Sequence, residues 1–253
     1  MIATEKPPQL ELRKEFEDDD LRIESVAGEG VSGVVAFTGV GFELGGLQRA
    51  EFVSSASVAG RRPVIFVIDK TRSWFNRPGL FERILDLVNA HFARVGVTQV
   101  VTLGNSMGGF GACLFAAPLK ARRAIAFTPQ WSIRKEIMPE ETRWQEWTNA
   151  IAEHRFSTAF DNVDPSVHYW ICNAFTGSDL AHSRLFPAAS NVTHVLIPNA
   201  MHGLSAHLKR AGLLNTLVAG LLDEDDTVVS AALSAANAFV QNPRASVARA
   251  AEA

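Results

Sequence analysis

What this chain has little of already narrows its chemistry. Its two cysteines, Cys113 and Cys172, are too few for a disulfide framework, so both read as small core residues. Basic residues are not in surplus: 24 Lys and Arg against 27 Asp and Glu leave a net charge of −3. That balance gives no case for a nucleic-acid or anionic-membrane partner. No apolar run reaches membrane-spanning length. The opening stretch MIATEKPPQLELRKEFEDDD lacks the basic and then apolar regions of a secretion signal, and the expected location is the cytoplasm. A metal site finds no support, because there is no H-E-x-x-H, no paired cysteine spacing and no acid–histidine cluster. No G-x-G-x-x-G opens a βαβ unit, so no cofactor is expected either, and no internal repeat is visible.

What is present is a soluble globular composition, 47% hydrophobic and 20% charged, in 253 residues, enough for a substantial core. The stretch Val97 to Pro118, VTQVVTLGNSMGGFGACLFAAP, organises the rest. Val97, Val100, Val101 and Leu103 form a short β-branched apolar run with the look of a buried strand. Gly104-Asn105-Ser106-Met107-Gly108 follows, then a small-residue helix that Pro118 stops. Strand, sharp turn and helix are the context in which G-x-S-x-G presents a serine nucleophile, with Ser106 in strained geometry above the sheet edge. A Cβ at Gly104 or Gly108 is expected to collide with the neighbouring strand or helix, and Gly109, Gly111 and Ala112 let the helix lie close to the sheet.

Through Gly104-Asn105-Ser106-Met107-Gly108-Gly109 and the strands around it, the chain resembles the α/β-hydrolase superfamily over roughly Leu21 to Leu222. The longer phrase SMGGFGACLFA…AIAFTPQWSI, from Ser106 to Ile133, also resembles a bacterial subgroup associated with surface-glycan biosynthesis. The resemblance implies an α/β fold: a mostly parallel central sheet of about eight strands, flanked by helices, with a short helical lid. It places the main domain at residues 1–222 with the lid at about 129–164, and the residue pattern adds a C-terminal helix with a frayed tail at 223–253.

In chain order, residues 1–9 read as a loose leader. Leu10 to Phe16, Leu21 to Val26 and Val31 to Thr38 read as strands, with the acidic run Glu17 to Asp20 as a solvated turn. Val64 to Ile68 is a buried strand ending at Asp69, which reads as a turn-former rather than an acid catalyst. Phe81, Ile84, Leu85, Val88, Phe92 and Val95 repeat at helical spacing, and Gly96 ends that helix. Ala124 to Thr128, Val167 to Phe175 and Asn191 to Ile197 are the remaining strands. Leu204 to Leu217 suggests a closing helix, and Thr227 to Val240 one amphipathic helix able to serve a partner or a homodimer.

A serine hydroxyl needs a base to take its proton, and histidine titrates near working pH. A carboxylate then fixes the imidazole tautomer and stabilises the imidazolium. The superfamily supplies these in the order Ser, acid, His, which matches Ser106, Asp179 and His202, each after a strand. His182 lies near Asp179 but precedes the last strand, His194 is inside a strand, and His207 is on the following helix; Asp161 and Asp164 precede their strand. The resemblance assigns one oxyanion donor to the Met107 N–H and, by matching Thr38-Gly39 to a His-Gly loop, the other to the Val40 N–H. A plain glycine turn remains the alternative for that loop.

Gly39, Trp74, Trp131 and Trp144 are candidate substrate-binding residues. For Trp74 surface packing is an equal reading, and the lid tryptophans either line a pocket or form the core that a lid needs. The expected function is a serine esterase cleaving carboxylic esters through an acyl-serine, with acyl transfer as its close relative and a non-catalytic binding protein as the rival. The substrate is a small-molecule ester, with an acylated sugar suggested by the subgroup resemblance.

Overall fold

The computed structural model describes residues 10–41, 46–58 and 60–241, so the expected leader and the tail after Gln241 lie outside the described residues. Nine strands form one sheet: β1 (Arg13–Glu17), β2 (Leu21–Val26), β3 (Ser32–Phe37), β4 (Val64–Asp69), β5 (Gln99–Asn105), β6 (Arg123–Phe127), β7 (His168–Ala174), β8 (Val192–Ile197) and β9 (Phe239–Gln241). Their spatial order is β1-β2-β4-β3-β5-β6-β7-β8-β9. The strands from β4 across to β8 run parallel, and β1, β2 and β9 pair antiparallel at the two edges.

A parallel sheet is covered on both faces, so its strands are apolar throughout, and all six residues of β4 are buried. Alternation then divides the core. Val35 and Phe37 pack on one face with α2 (Leu80–Val95) and α3 (Met107–Ala116). Val34 and Ala36 pack on the other with α6 (Leu204–Arg210), α7 (Leu214–Asp223) and α8 (Asp226–Ala235). The strand registers bring Phe37 beside Gly104, Asn105 beside Phe127, Phe127 beside Cys172 and Ala174 beside Ile197. The carboxyl ends of five strands therefore finish along one rim, where sheets of this kind keep their sites.

Several expectations need correction. Residues 129–164 contain only one short helix, α4 (Gln145–Thr148), and are otherwise turns; the segment is a cap but hardly a helical one. Its aromatic residues, Trp131, Trp144, Trp147, Phe156 and Phe160, fall at irregular spacing, which does not make a regular helix face. The closing helix divides into α6 and α7 at Gly212, whose φ of 73° breaks the helix. A short helix, α1 (Val53–Ser57), had no sequence signal. The C-terminal helix stops at Ala235, and Phe239 and Val240 instead pair with Leu196 and Val195 as β9. The open edge of β8 takes these residues, and that pairing overrides the local helical period. Val229, Ala232 and Leu233 of α8 are buried with Leu217, Val218 and Leu221 of α7, so that part of the apolar stripe is covered within the chain, while Phe239 stays 56% exposed.

Candidate active site

The serine turn is built by close approach. A Cβ on Gly104 would stand 2.0 Å from the Gly108 carbonyl oxygen, and one on Gly108 would stand 2.1 Å from the Phe37 oxygen. With those positions bare, α3 lies directly against β3 and β5. Ser106, between β5 and α3, has φ 57° and ψ −122°, a strained conformation for a side chain with a Cβ. The strain is held by the Ser106 N–H donating to the Phe127 oxygen at 2.8 Å and by the Phe110 N–H donating to the Ser106 oxygen at 3.0 Å.

Asp179 sits in the first turn of α5 (Gly177–Ser183), just after β7, rather than in a free turn. His202 follows β8 on a loop pinned from two sides: Thr128 Oγ1 donates to the His202 oxygen at 3.3 Å, and Thr176 Oγ1 to the Ala200 oxygen at 2.9 Å. The three side chains meet. His202 Nδ1 is 2.8 Å from Asp179 Oδ1, and His202 Nε2 is 2.8 Å from Ser106 Oγ. A carboxylate only accepts, so Nδ1 carries the proton and the Nε2 lone pair faces the serine hydroxyl. Ser106 and Asp179 are each 3% exposed.

The loop after β3 faces the same turn. A Cβ on Gly39 would stand 3.8 Å from Ser106 Cβ. Gln48, buried, donates from Nε2 to the Gly39 oxygen at 2.9 Å and to the Asp69 oxygen at 3.0 Å. In a trans peptide the N–H points opposite the C=O, so anchoring the Gly39 carbonyl also sets the direction of the Val40 N–H. Arg72 Nε donates to the Val40 oxygen at 2.8 Å, and the Gly39 N–H donates to Glu51 Oε1 at 3.2 Å. The Val40 and Met107 N–H groups donate to no described residue. Burial pushes the Glu51 carboxyl up to about 7, against the opposing pull of the Gly39 N–H.

The tryptophans separate by role. Trp144 of the cap lies over the His202 ring, with centroids 5.6 Å apart, and stacks on Trp147. Trp131 packs edge-on against Phe186, beyond α5, at 5.0 Å and beside Phe160 of the cap at 5.8 Å, away from His202. Trp74 does not border a pocket. It is fully buried, and its indole donates to Gln130 Oε1 at 3.1 Å. Asp69 forms the expected turn, accepting from Thr71, Ser73 and Phe75.

The other histidines hold different posts. His194 reaches the Pro187 oxygen from β8. His182 is fully buried; its Nδ1 accepts the Trp131 N–H at 3.1 Å, so its Nε2 donates to Glu141 Oε2 at 2.9 Å. Glu141 also takes the Arg143 Nε at 2.9 Å, and Arg143 Nη1 reaches Asp179 Oδ1 at 3.1 Å. Burial would raise the Glu141 carboxyl, but the Arg143 and His182 hydrogen bonds outweigh it and hold it down at about 2. The cap is thus tied to Asp179 through an arginine that bridges two carboxylates.

Sequence reasoning missed Gln48, Glu51, Gln130, Glu141 and Arg143. Gln130 alone had a signal, its place just beyond β6. Among the described residues, no three His, Cys, Asp or Glu side chains are grouped to hold a metal, and no helix is long and apolar enough to cross a membrane.

No protein-family model and no curated protein matches this sequence. Solved structures do match its fold. A capsule O-acetyltransferase of Neisseria meningitidis serogroup A, a histidine-to-alanine mutant in complex with CoA, is 12% identical, with a TM-score of 0.59 over 81% of this chain and 94% of that one. Est1E from Butyrivibrio proteoclasticus is 15% identical, with a TM-score of 0.57 over 84% and 98%. A putative esterase from Staphylococcus aureus is 13% identical, with a TM-score of 0.61 over 88% of each chain.

Proposed function

We propose that this chain, which has the α/β-hydrolase fold, is a serine esterase acting on carboxylic esters through an acyl-serine intermediate. The observation that carries the reading is His202 standing 2.8 Å from both Asp179 and Ser106. As Ser106 Oγ attacks the ester carbonyl, His202 Nε2 takes its proton, and Asp179 stabilises the imidazolium. The negative charge on the former carbonyl oxygen is met by the Met107 N–H and the Val40 N–H, which have no other described acceptor. His202 returns its proton to the leaving alkoxide and then deprotonates the water that releases the acid. Trp144 forms the face of the site over His202. Gly39 borders the nucleophile.

A second reading is acyl transfer, favoured by the likeness to the capsule O-acetyltransferase. The same residues would act, with an alcohol in place of water and a sugar hydroxyl as the acceptor. A non-catalytic binding protein would have no use for a strained Ser106 aligned with a base. The test is labelling by a fluorophosphonate together with hydrolysis of short-chain aryl esters. Both should be present in the parent and absent from Ser106→Ala and His202→Ala. Labelling that persists in Ser106→Ala, or a parent that neither labels nor cleaves, overturns the reading. Product analysis with an acetyl donor and an added sugar alcohol separates hydrolysis from transfer.

A further inference from the structure

One fully buried side chain touches the nucleophile and has no part in the steps above. Gln130, just beyond β6, donates from Nε2 to Ser106 Oγ at 3.2 Å, while its Oε1 accepts the Trp74 indole N–H at 3.1 Å. An indole N–H only donates, so it determines which end of the carboxamide carries the oxygen, and the NH2 end is left facing Ser106. The serine hydroxyl gives its hydrogen to His202 and receives one from Gln130.

The segment that delivers Trp74 is held against its backbone preference. Arg72, Trp74 and Phe75 have φ of 51°, 49° and 64°, a region that side chains larger than glycine rarely adopt. One buried carboxylate holds this turn. Asp69 Oδ1 accepts from the Thr71 N–H and Oγ1, and Oδ2 accepts from the Ser73 N–H, Ser73 Oγ and the Phe75 N–H. Five hydrogen bonds to a single side chain stabilise a strained turn whose central indole points at Gln130.

We propose that Gln130 is a further catalytic residue, a donor to the nucleophile oxygen oriented by Trp74, acting chiefly when the acyl group leaves Ser106. This rests on Ser106 being the nucleophile. In deacylation, water loses a proton to His202 as its oxygen bonds to the acyl carbon. The C–Oγ bond then breaks, its electron pair goes to Oγ, and Oγ takes the proton from His202. Gln130 neither gains nor loses a proton; its N–H meets the charge that grows on Oγ as the bond breaks, and a donor aimed at growing charge lowers the barrier. In the attack step the free hydroxyl already accepts this hydrogen bond before it reacts, whereas the ester oxygen of the acyl-serine is a weaker acceptor, so the gain on reaching the transition state falls mainly on deacylation.

Pre-steady-state hydrolysis of an aryl acetate tests this. Gln130→Met, of similar length but without a donor, should keep a burst of one product per site while deacylation slows about 10- to 100-fold. Trp74→Phe should slow the same step about 3- to 10-fold in the parent and have no added effect beside Gln130→Met. Should Gln130→Met fail to fold, the Trp74→Phe deacylation rate carries the test alone. Deacylation at the parent rate overturns the proposal, as does an equal loss of burst rate and steady turnover, or effects of the two substitutions that multiply. Fluorophosphonate labelling lost in Ser106→Ala secures the nucleophile separately, so a normal Gln130→Met then refutes only the role of Gln130.

Discussion

Glu51 offers a test of how the loop after β3 is held, through its charge. As a whole the residue keeps some exposure, but its carboxyl end lies against the buried Gly39, and burial lifts it from 4.5 to about 7. A raised acid favours the folded chain only while it is protonated. Below about 4.5 both states hold the proton and Glu51 exacts no penalty. Between 4.5 and about 7 the unfolded chain releases its proton and the native one does not, so stability falls as pH rises. Each tenfold costs about 1.4 kcal/mol, so the full gap amounts to about 3 kcal/mol above pH 7.

Glu51→Gln keeps an oxygen for the Gly39 N–H and removes the charge. At pH 8 the variant should be more stable than the parent by up to about 3 kcal/mol, a rise in Tm of about 6 °C for a chain of this length. At pH 4 the two should coincide. Urea unfolding at pH 4, 6 and 8 measures this directly. If the curves for parent and variant stay parallel across that range, Glu51 does not carry a burial penalty and the reasoning fails.

Two further outcomes follow from close contacts. Gly108→Ala puts a methyl 2.1 Å from the Phe37 oxygen, which is backbone and cannot swing aside. It should cost more than about 4 kcal/mol or abolish folding, and a near-parental urea midpoint would refute the close approach of α3 to β3. Arg143→Met leaves Glu141 and Asp179 without their shared cation and should destabilise the fold by about 3 kcal/mol at pH 7, while lowering kcat. Because Glu141 is held down at about 2, the stability it contributes is present above about 4.5 and is lost as pH falls toward 2. The difference between parent and Arg143→Met should shrink over that range; a difference that persists at pH 2 counts against the pairing.

The local signals in the sequence were strong where one element decides its own conformation. Gly104, Gly108 and the β-branched run before Ser106 dictate a strand, a tight turn and a closely packed helix, because steric exclusion acts between near neighbours. Apolar alternation set the strands, and β2 and β4 begin where the pattern says. Order along the chain then paired Ser106, Asp179 and His202 through the family resemblance. Periodicity failed where a distant partner outbid the local preference: Phe239 and Val240 left a helical stripe to complete the edge of β8. It failed again in residues 129–164, where irregular aromatics pack on each other and carry no period. The buried hydrogen-bonding residues around Ser106 were legible least of all. Gln130, Trp74, Arg143 and Glu141 owe their positions to hydrogen bonds between segments up to 56 residues apart. Such bonds leave no trace in local composition, and only the folded chain decides which buried donor faces which acceptor.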